Sequence, residues 1–123
     1  MEDFKQSSLR LHQDANQLLA AQRYATASHL YGLAAECAIK SFLLAQPGVS
    51  NSPRKHIPDL IDDAKRQLGG RGRSHLLNVL SAENYMAGWD IANRYWPNHH
   101  FTAEQSKKFR QDSYSVLKCI HPV

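Results

Sequence analysis

The chain has 123 residues, a hydrophobic fraction of 42%, a charged fraction of 21% and a formal net charge of +4. That length holds one continuous core rather than two, and the balance of apolar to charged residues excludes an intrinsically disordered chain. A charge of +4 with 11 acidic side chains interspersed permits an acidic partner such as nucleic acid without requiring one.

Residues 2 to about 21 place Phe4, Leu11, Ala15, Leu18 and Leu19 on one stripe and Gln6, Gln13 and Gln17 on a polar face, which predicts a first amphipathic helix. A second helical pattern runs from Tyr24 to Gln46 and stops at Pro47-Gly48, where proline cannot continue the hydrogen-bond ladder. No glycine or proline separates the two, so the join is placed near Gln22-Arg23 only by the change of pattern. The second helix is apolar on more than one face. Ala27, Leu30, Tyr31, Ala34, Ala38 and Phe42 form one stripe, and Leu33, Cys37 and Leu44 lie on another. A helix of this kind belongs at the centre of a bundle, and at ~1.5 Å per residue it is roughly 34 Å long.

From Gly48 to His56 the composition is that of a loop carrying two cations, Arg54 and Lys55. A third helix is predicted from near Pro58, with Asp59 at the positive end of its dipole, to Gly69-Gly70. The basic link Arg71-Gly72-Arg73 is either solvated or in contact with phosphate. Ser74 caps a short helix through Leu80, and Ser81 to about Trp96 reads as another, with Tyr85, Trp89, Ala92 and Trp96 at helical spacing. Pro97 ends it, because a residue before proline is pushed out of the α region. Thr102 to Gln105 has the form of a capping box, and the last helix runs to about Ile120, burying Phe109, Val116, Leu117 and Ile120. No segment alternates as a strand and no repeat is present. The expected fold is all-α, an up-and-down bundle of four to five main helices in a single domain spanning 1–123.

Seven histidines are scattered at 12, 29, 56, 75, 99, 100 and 121, without zinc-type pairing to Cys37 or Cys119, so no metal and no cofactor is expected. Cys37 within an apolar helix reads as a small buried hydrophobe, which fits a reducing cytoplasm. No run approaches the roughly 18 apolar residues of a membrane span.

Chemistry concentrates in Arg94-Tyr95-Trp96-Pro97-Asn98-His99-His100. Arginine stays charged and grips two phosphate oxygens, while a histidine with a pKa of about 6.5 exchanges protons near neutrality. The pair suits attack by a ribose 2′-hydroxyl on its own phosphate without metal. The plain alternatives are an i, i+4 ion pair between Asp90 and Arg94 and two solvated imidazoles. Glu36 and Lys40, one turn apart in the most apolar part of the second helix, read either as a surface pair or as a buried carboxylate in need of a partner such as Arg94. Trp89, Tyr95 and Trp96 are either core or base-stacking groups.

The run from Tyr24 to Lys40, the later His56, and Trp89-Asp90-Ile91-Ala92-Asn93-Arg94-Tyr95 together resemble the HEPN superfamily, the higher eukaryote and prokaryote nucleotide-binding domains, over about residues 10–120. The resemblance implies a helical bundle, commonly a homodimer, with a metal-independent ribonuclease motif of arginine, four to six residues, then histidine. Arg94 to His99 has four residues between, and Arg94 to His100 has five. It further implies a site built where two copies meet, with Glu36 supporting the pair, in a toxin-antitoxin or defence setting. Tyr95 departs from the polar residue that usually follows the arginine. The alternative within the same resemblance is a non-catalytic bundle that binds a nucleotide or a partner protein such as an antitoxin or a nucleotidyltransferase. Leu18, Tyr24, Ala27 and Tyr31 also resemble one tetratricopeptide-like hairpin, but such arrays need several repeats and none recurs.

Overall fold

All the expected helices but one form, and each buries a stripe at helical spacing. They are α1 (Phe4–Ala20), α2 (Tyr24–Leu44), α3 (Asp59–Leu68), α4 (His75–Leu80) and α5 (Ala103–Ile120), with 3-10 helices at Ile91–Tyr95 and Asn98–His100. This computed structural model describes residues 3–46, 55–69 and 75–121. The expected loop over 47–54, the Arg71-Gly72-Arg73 link and the Ser74 cap lie outside the described residues. Among those described there is no strand, and the fold is an all-α bundle. No helix among them is long and apolar enough to cross a membrane.

Asp3 starts α1 by accepting from Gln6 N at 2.9 Å. The face it buries is Ser8, His12, Ala15 and Leu19, whereas Phe4, Leu11 and Leu18 are only half-buried. The apolar stripe read from the sequence is therefore rotated toward polar residues, because those residues find partners. Ser8 Oγ donates to Lys5 O at 2.7 Å, and His12 Nδ1 lies 2.9 Å from Ser113 Oγ on α5. The α1–α2 join falls where expected, although no glycine marks it. Gln22 adopts φ 61°, and Gln22 N and Arg23 N donate to Leu19 O and Leu18 O, each at 2.9 Å. This is the left-handed helix end that glycine usually provides.

The α2 helix is buried on several sides, including Ala27, Tyr31, Ala35, Ala38, Ile39 and Leu43, and it touches α1, α3, α5 and both 3-10 helices. Leu44 is an exception to the expected second stripe and is exposed. Contacts from His12 to Ser113 and from Ser8 to His121 run α1 antiparallel to α5, and Ser28 to Ser106 places the first turns of α2 beside the first turns of α5. The three long helices meet along a polar seam. Ser28 Oγ and Ser106 Oγ are 2.7 Å apart, and Tyr31 OH donates to Asn16 Oδ1 at 2.7 Å. Burial pushes the Tyr31 phenol up to about 12 against the opposing charge of Arg110, so it remains a donor.

The capping box forms at α5, with Gln105 N donating to Thr102 Oγ1 at 3.1 Å and Thr102 N to Gln105 Oε1 at 2.9 Å. Phe109, Val116 and Leu117 are buried there, and Ile120 is half-buried. In α3, Asp63 is buried yet anchored by Lys55, Arg66 and Gln67. Burial raises its carboxyl, but those hydrogen bonds and charges outweigh it and hold the group below the usual value.

The expected helix over 81–96 does not form. Residues 81–90 are a succession of turns in which Asn84, Met86 and Gly88 take φ of 59°, 51° and 84°. A helix would direct the Met86 N–H to the carbonyl four residues back, but it donates to Asp112 Oδ2 on α5 at 2.8 Å. Tyr85 OH donates to Asp112 O at 2.9 Å, and Lys108 bridges Asp112 and Asn84 O. The helical spacing of Tyr85 and Trp89 arises instead because both side chains reach inward from a curled segment. Trp89 is 2% exposed, and its indole N–H donates to Ser28 O at 2.8 Å.

Gly32 makes that docking possible, since a Cβ there would lie 1.8 Å from Trp89 Cε2. Gly32→Ala gains about 1 kcal/mol of helix propensity. It is nonetheless expected to lose at least about 2 kcal/mol of net stability by overpacking, read as a lower denaturant midpoint. A variant as stable as the parent would show that Trp89 does not sit on α2.

Candidate functional site

The segment carrying the arginine and the paired histidines is held at both ends. Asp90, in extended conformation, caps the first 3-10 helix by accepting from Ala92 N at 2.9 Å. Asn93 is fully buried, and its amide, oriented to satisfy both groups, pairs with the backbone N–H and carbonyl of Asp90, each at 3.2 Å. Trp96 and Pro97 are extended, as the proline requires. Asn98 then reaches back to the start of α2, where Ala25 N donates to its Oδ1 at 3.0 Å and its amide donates to Gln22 O at 3.4 Å. Arg23 offers α2 no side-chain cap, so Asn98 satisfies one of its orphan donors.

Between these anchors Arg94, Tyr95 and Trp96 are exposed, and His99 and His100, just beyond Asn98, are exposed as well. Arg94 Nη1 donates to Ile91 O at 3.2 Å, and its guanidinium lies over the Tyr95 ring at 4.5 Å. The Asp90–Arg94 ion pair does not form. Such a pair needs α-helical spacing, and a 3-10 turn of about three residues rotates the fourth away. No carboxylate pairs with Arg94 among the described residues. His100 packs edge-on against Trp96, with centroids 4.3 Å apart, and against Phe101 at 5.3 Å. His99 makes no hydrogen bond among the described residues. Trp89 is core, whereas Tyr95 is 75% exposed and Trp96 39% exposed.

Glu36 is 3% exposed, and its partners lie elsewhere than Arg94. Its carboxylate meets His56 Nδ1 at 3.1 and 3.2 Å and accepts from Ile57 N at 2.9 Å, which moors the chain entering α3. Lys40, a turn later, is buried with its ammonium over the Phe4 ring at 5.6 Å. The structure thus leaves Arg94, His99 and His100 each exposed along one short segment. No hydrogen bond links Arg94 to either histidine or to Glu36.

A different imidazole lies in the field of Arg94. His29 on α2 stacks on Trp89, with centroids 6.0 Å apart and planes 10° from parallel, and its Nδ1 is buried without a partner. Burial, then the charge of Arg94, lowers its pKa. Sequence reading passed over His29 as one of several scattered histidines. Its only signal was a position two turns before Glu36 on the same helix. Among the described residues, no group of three His, Cys, Asp or Glu is placed to hold a metal. Comparison with protein families, with curated proteins and with solved structures finds no match to this chain.

Glu36→Ala removes the acceptor of the buried Ile57 N–H and is expected to cost roughly 2–4 kcal/mol in chemical denaturation. Glu36→Gln, which retains an acceptor, is expected to lose less. Equal losses would mean that charge, not the hydrogen bond, moors the segment. A separate expectation concerns acid. The pKa of His12 is lowered by burial and then by Arg110, and that of His29 by burial and then by Arg94. Both groups take up protons more readily when unfolded, so the stability they contribute is present above the unfolded pKa of about 6.5 and is lost as pH falls toward the folded values. The melting temperature should drop between pH 7.5 and pH 5.5, and drop less in His12→Gln. A flat profile would contradict the two shifts.

Proposed function

We propose that the chain is a HEPN-type protein acting on RNA, a metal-independent endoribonuclease whose working edge is the segment from Arg94 to His100. The observation that carries this reading is an exposed arginine with no acidic partner among the described residues, in the same short segment as two exposed imidazoles. An arginine so placed is available to phosphate. In this reading the guanidinium holds the charge that grows on the non-bridging oxygens. One imidazole takes the 2′-hydroxyl proton as O2′ bonds to phosphorus, and another protonates the departing 5′-oxygen as its P–O bond breaks. The products are a 2′,3′-cyclic phosphate and a 5′-hydroxyl. Because Arg94 touches neither His99 nor His100 in one protomer, the reading requires a homodimer in which the edge of one copy meets that of the other. Glu36 then acts through the scaffold, holding the His56–Ile57 segment, rather than by orienting Arg94. A cytoplasmic toxin-antitoxin or defence role with a cognate antitoxin belongs to the same proposal.

The second reading is a non-catalytic bundle that binds a nucleotide or a partner protein such as a nucleotidyltransferase. It is favoured by the commitment of Glu36 to His56 and Ile57 N, which leaves Arg94 without a carboxylate to orient it. The two readings separate on incubation with RNA in chelator. The nuclease reading expects cyclic phosphate ends, with loss of at least about a hundredfold in rate for Arg94→Ala and for the double variant His99→Ala,His100→Ala. Cleavage unchanged in Arg94→Ala would assign the activity to another site or a contaminant. A strictly monomeric protein at micromolar concentration would remove the shared site.

A further inference from the structure

The α5 helix carries two grooves that share a wall. One, of about 680 Å³, lies between α1 and α5 and is lined by His12, Asn16, Lys107, Arg110, Gln111 and Tyr114. The other, of about 480 Å³, opens beside the working edge and is lined by Trp96, His100, Phe101 and Phe109. Glu104 and Lys108 line both, so the two lie side by side across a ridge formed by these side chains on the first turns of α5. Lys108 is tied to Asp112 and Asn84 O and serves as wall. Lys107 and Arg110 are exposed and pair with no carboxylate among the described residues, which leaves two cations facing one acid, Glu104. Aromatic rings stand at both ends, with Trp96 39% and Tyr114 50% exposed. The Lys118 ammonium lies 5.0 Å from the Tyr114 ring centroid and adds a third cation at the far end.

We infer that these two adjacent grooves are a track for one single strand of RNA, which crosses the Glu104–Lys108 ridge between them and brings its backbone to His100. The inference rests on the nuclease reading for its direction but not for its existence. From Glu104 to Tyr114 the helix rises roughly 15 Å at about 1.5 Å per residue, enough for a few nucleotides and too much for a single phosphate. Free cations along a groove with exposed rings at its ends are what a flexible polyanion with flat bases recognises, since phosphates meet the cations and bases stack on the rings. An acidic peptide would use the cations but leave the aromatic ends without a role. A rigid duplex would hide its bases from Trp96.

The test uses the full chain and a fluorescent 2′-O-methyl RNA of about ten nucleotides, which lacks the attacking hydroxyl and so reports binding alone. The parent is expected to bind it with quenching of tryptophan emission that is lost in Trp96→Leu. Trp89 stays buried as an internal reference. Lys107→Glu,Arg110→Glu should weaken binding at least tenfold and flatten the salt dependence by about 1.4 in log–log slope, at ~0.7 per phosphate contact. Tyr114→Ala should weaken it about tenfold. The track is overturned if the double charge reversal binds like the parent with its circular dichroism intact. It is also overturned if poly-glutamate competes as well as the oligonucleotide, or if saturating oligonucleotide leaves Trp96 emission unchanged. Cleavage of unmodified RNA that persists while these variants bind normally would remove the track and leave the nuclease. Variant-sensitive binding without any cleavage would do the reverse.

Discussion

The Trp89 indole fills the notch that Gly32 leaves in α2, and the placement of the chain after α4 depends on that contact. A buried tryptophan removes a large apolar surface from water, but its N–H must find an acceptor. Ser28 O supplies one on the same helix, so both the position and the rotation of the ring are determined. With Trp89 docked, residues 81–88 must curl rather than continue as a helix, and Asp112 and Lys108 on α5 secure the curl. On the other side of Trp89 the chain is short of length. It turns through a 3-10 helix, is stopped by Pro97 and is caught by the exposed start of α2 through Asn98.

That arrangement explains the exposure of the working edge. Asn93 and Asn98 turn inward to backbone groups, and Arg94, Tyr95 and Trp96 between them are left exposed. Arg94 has no acid to neutralise it among the described residues, since Asp90 is held by the backbone of its own turn. The cation is felt instead by His29, which lies against Trp89 on the helix beneath. The same indole therefore locks the scaffold and stacks on the His29 ring. The Glu36 carboxylate, deeper along α2, performs the comparable task for the entry to α3, where a buried charge is tolerable because an imidazole and a backbone N–H both meet it.

The core is unusually polar along its central seam. Ser28, Ser106, Ser113 and His12 are buried where α1, α2 and α5 meet, and each has a hydrogen-bond partner across the contact. Small hydroxyl side chains let the helices approach closely, and satisfied pairs remove the penalty of burying them. Such a seam discriminates against helix rotations or shifts that a purely aliphatic contact would tolerate. This accounts for α1 turning Ser8 and His12 inward while Phe4, Leu11 and Leu18 stay at the margins.

Local chemistry determined a good deal of this by itself. The helical stripes of α2, α3 and α5, the Thr102–Gln105 capping box, the break at Pro97 and the central place of α2 follow from side-chain spacing and backbone sterics, which act within a few residues. The end of α1 was placed correctly without a glycine, because the hydrophobic pattern changed there, although only the structure shows Gln22 adopting the left-handed turn. Tertiary structure decided what depends on partners far away in sequence. Met86 N prefers Asp112 to a helical carbonyl, His12 turns inward to Ser113, and Glu36 meets His56 and Ile57 rather than Arg94. A spacing rule cannot see an acceptor on another helix, so Tyr85 and Trp89 gave a helical rhythm to a segment that is not a helix. For the same reason the residues of the exposed edge could be named from the sequence, but their neighbour His29 could not.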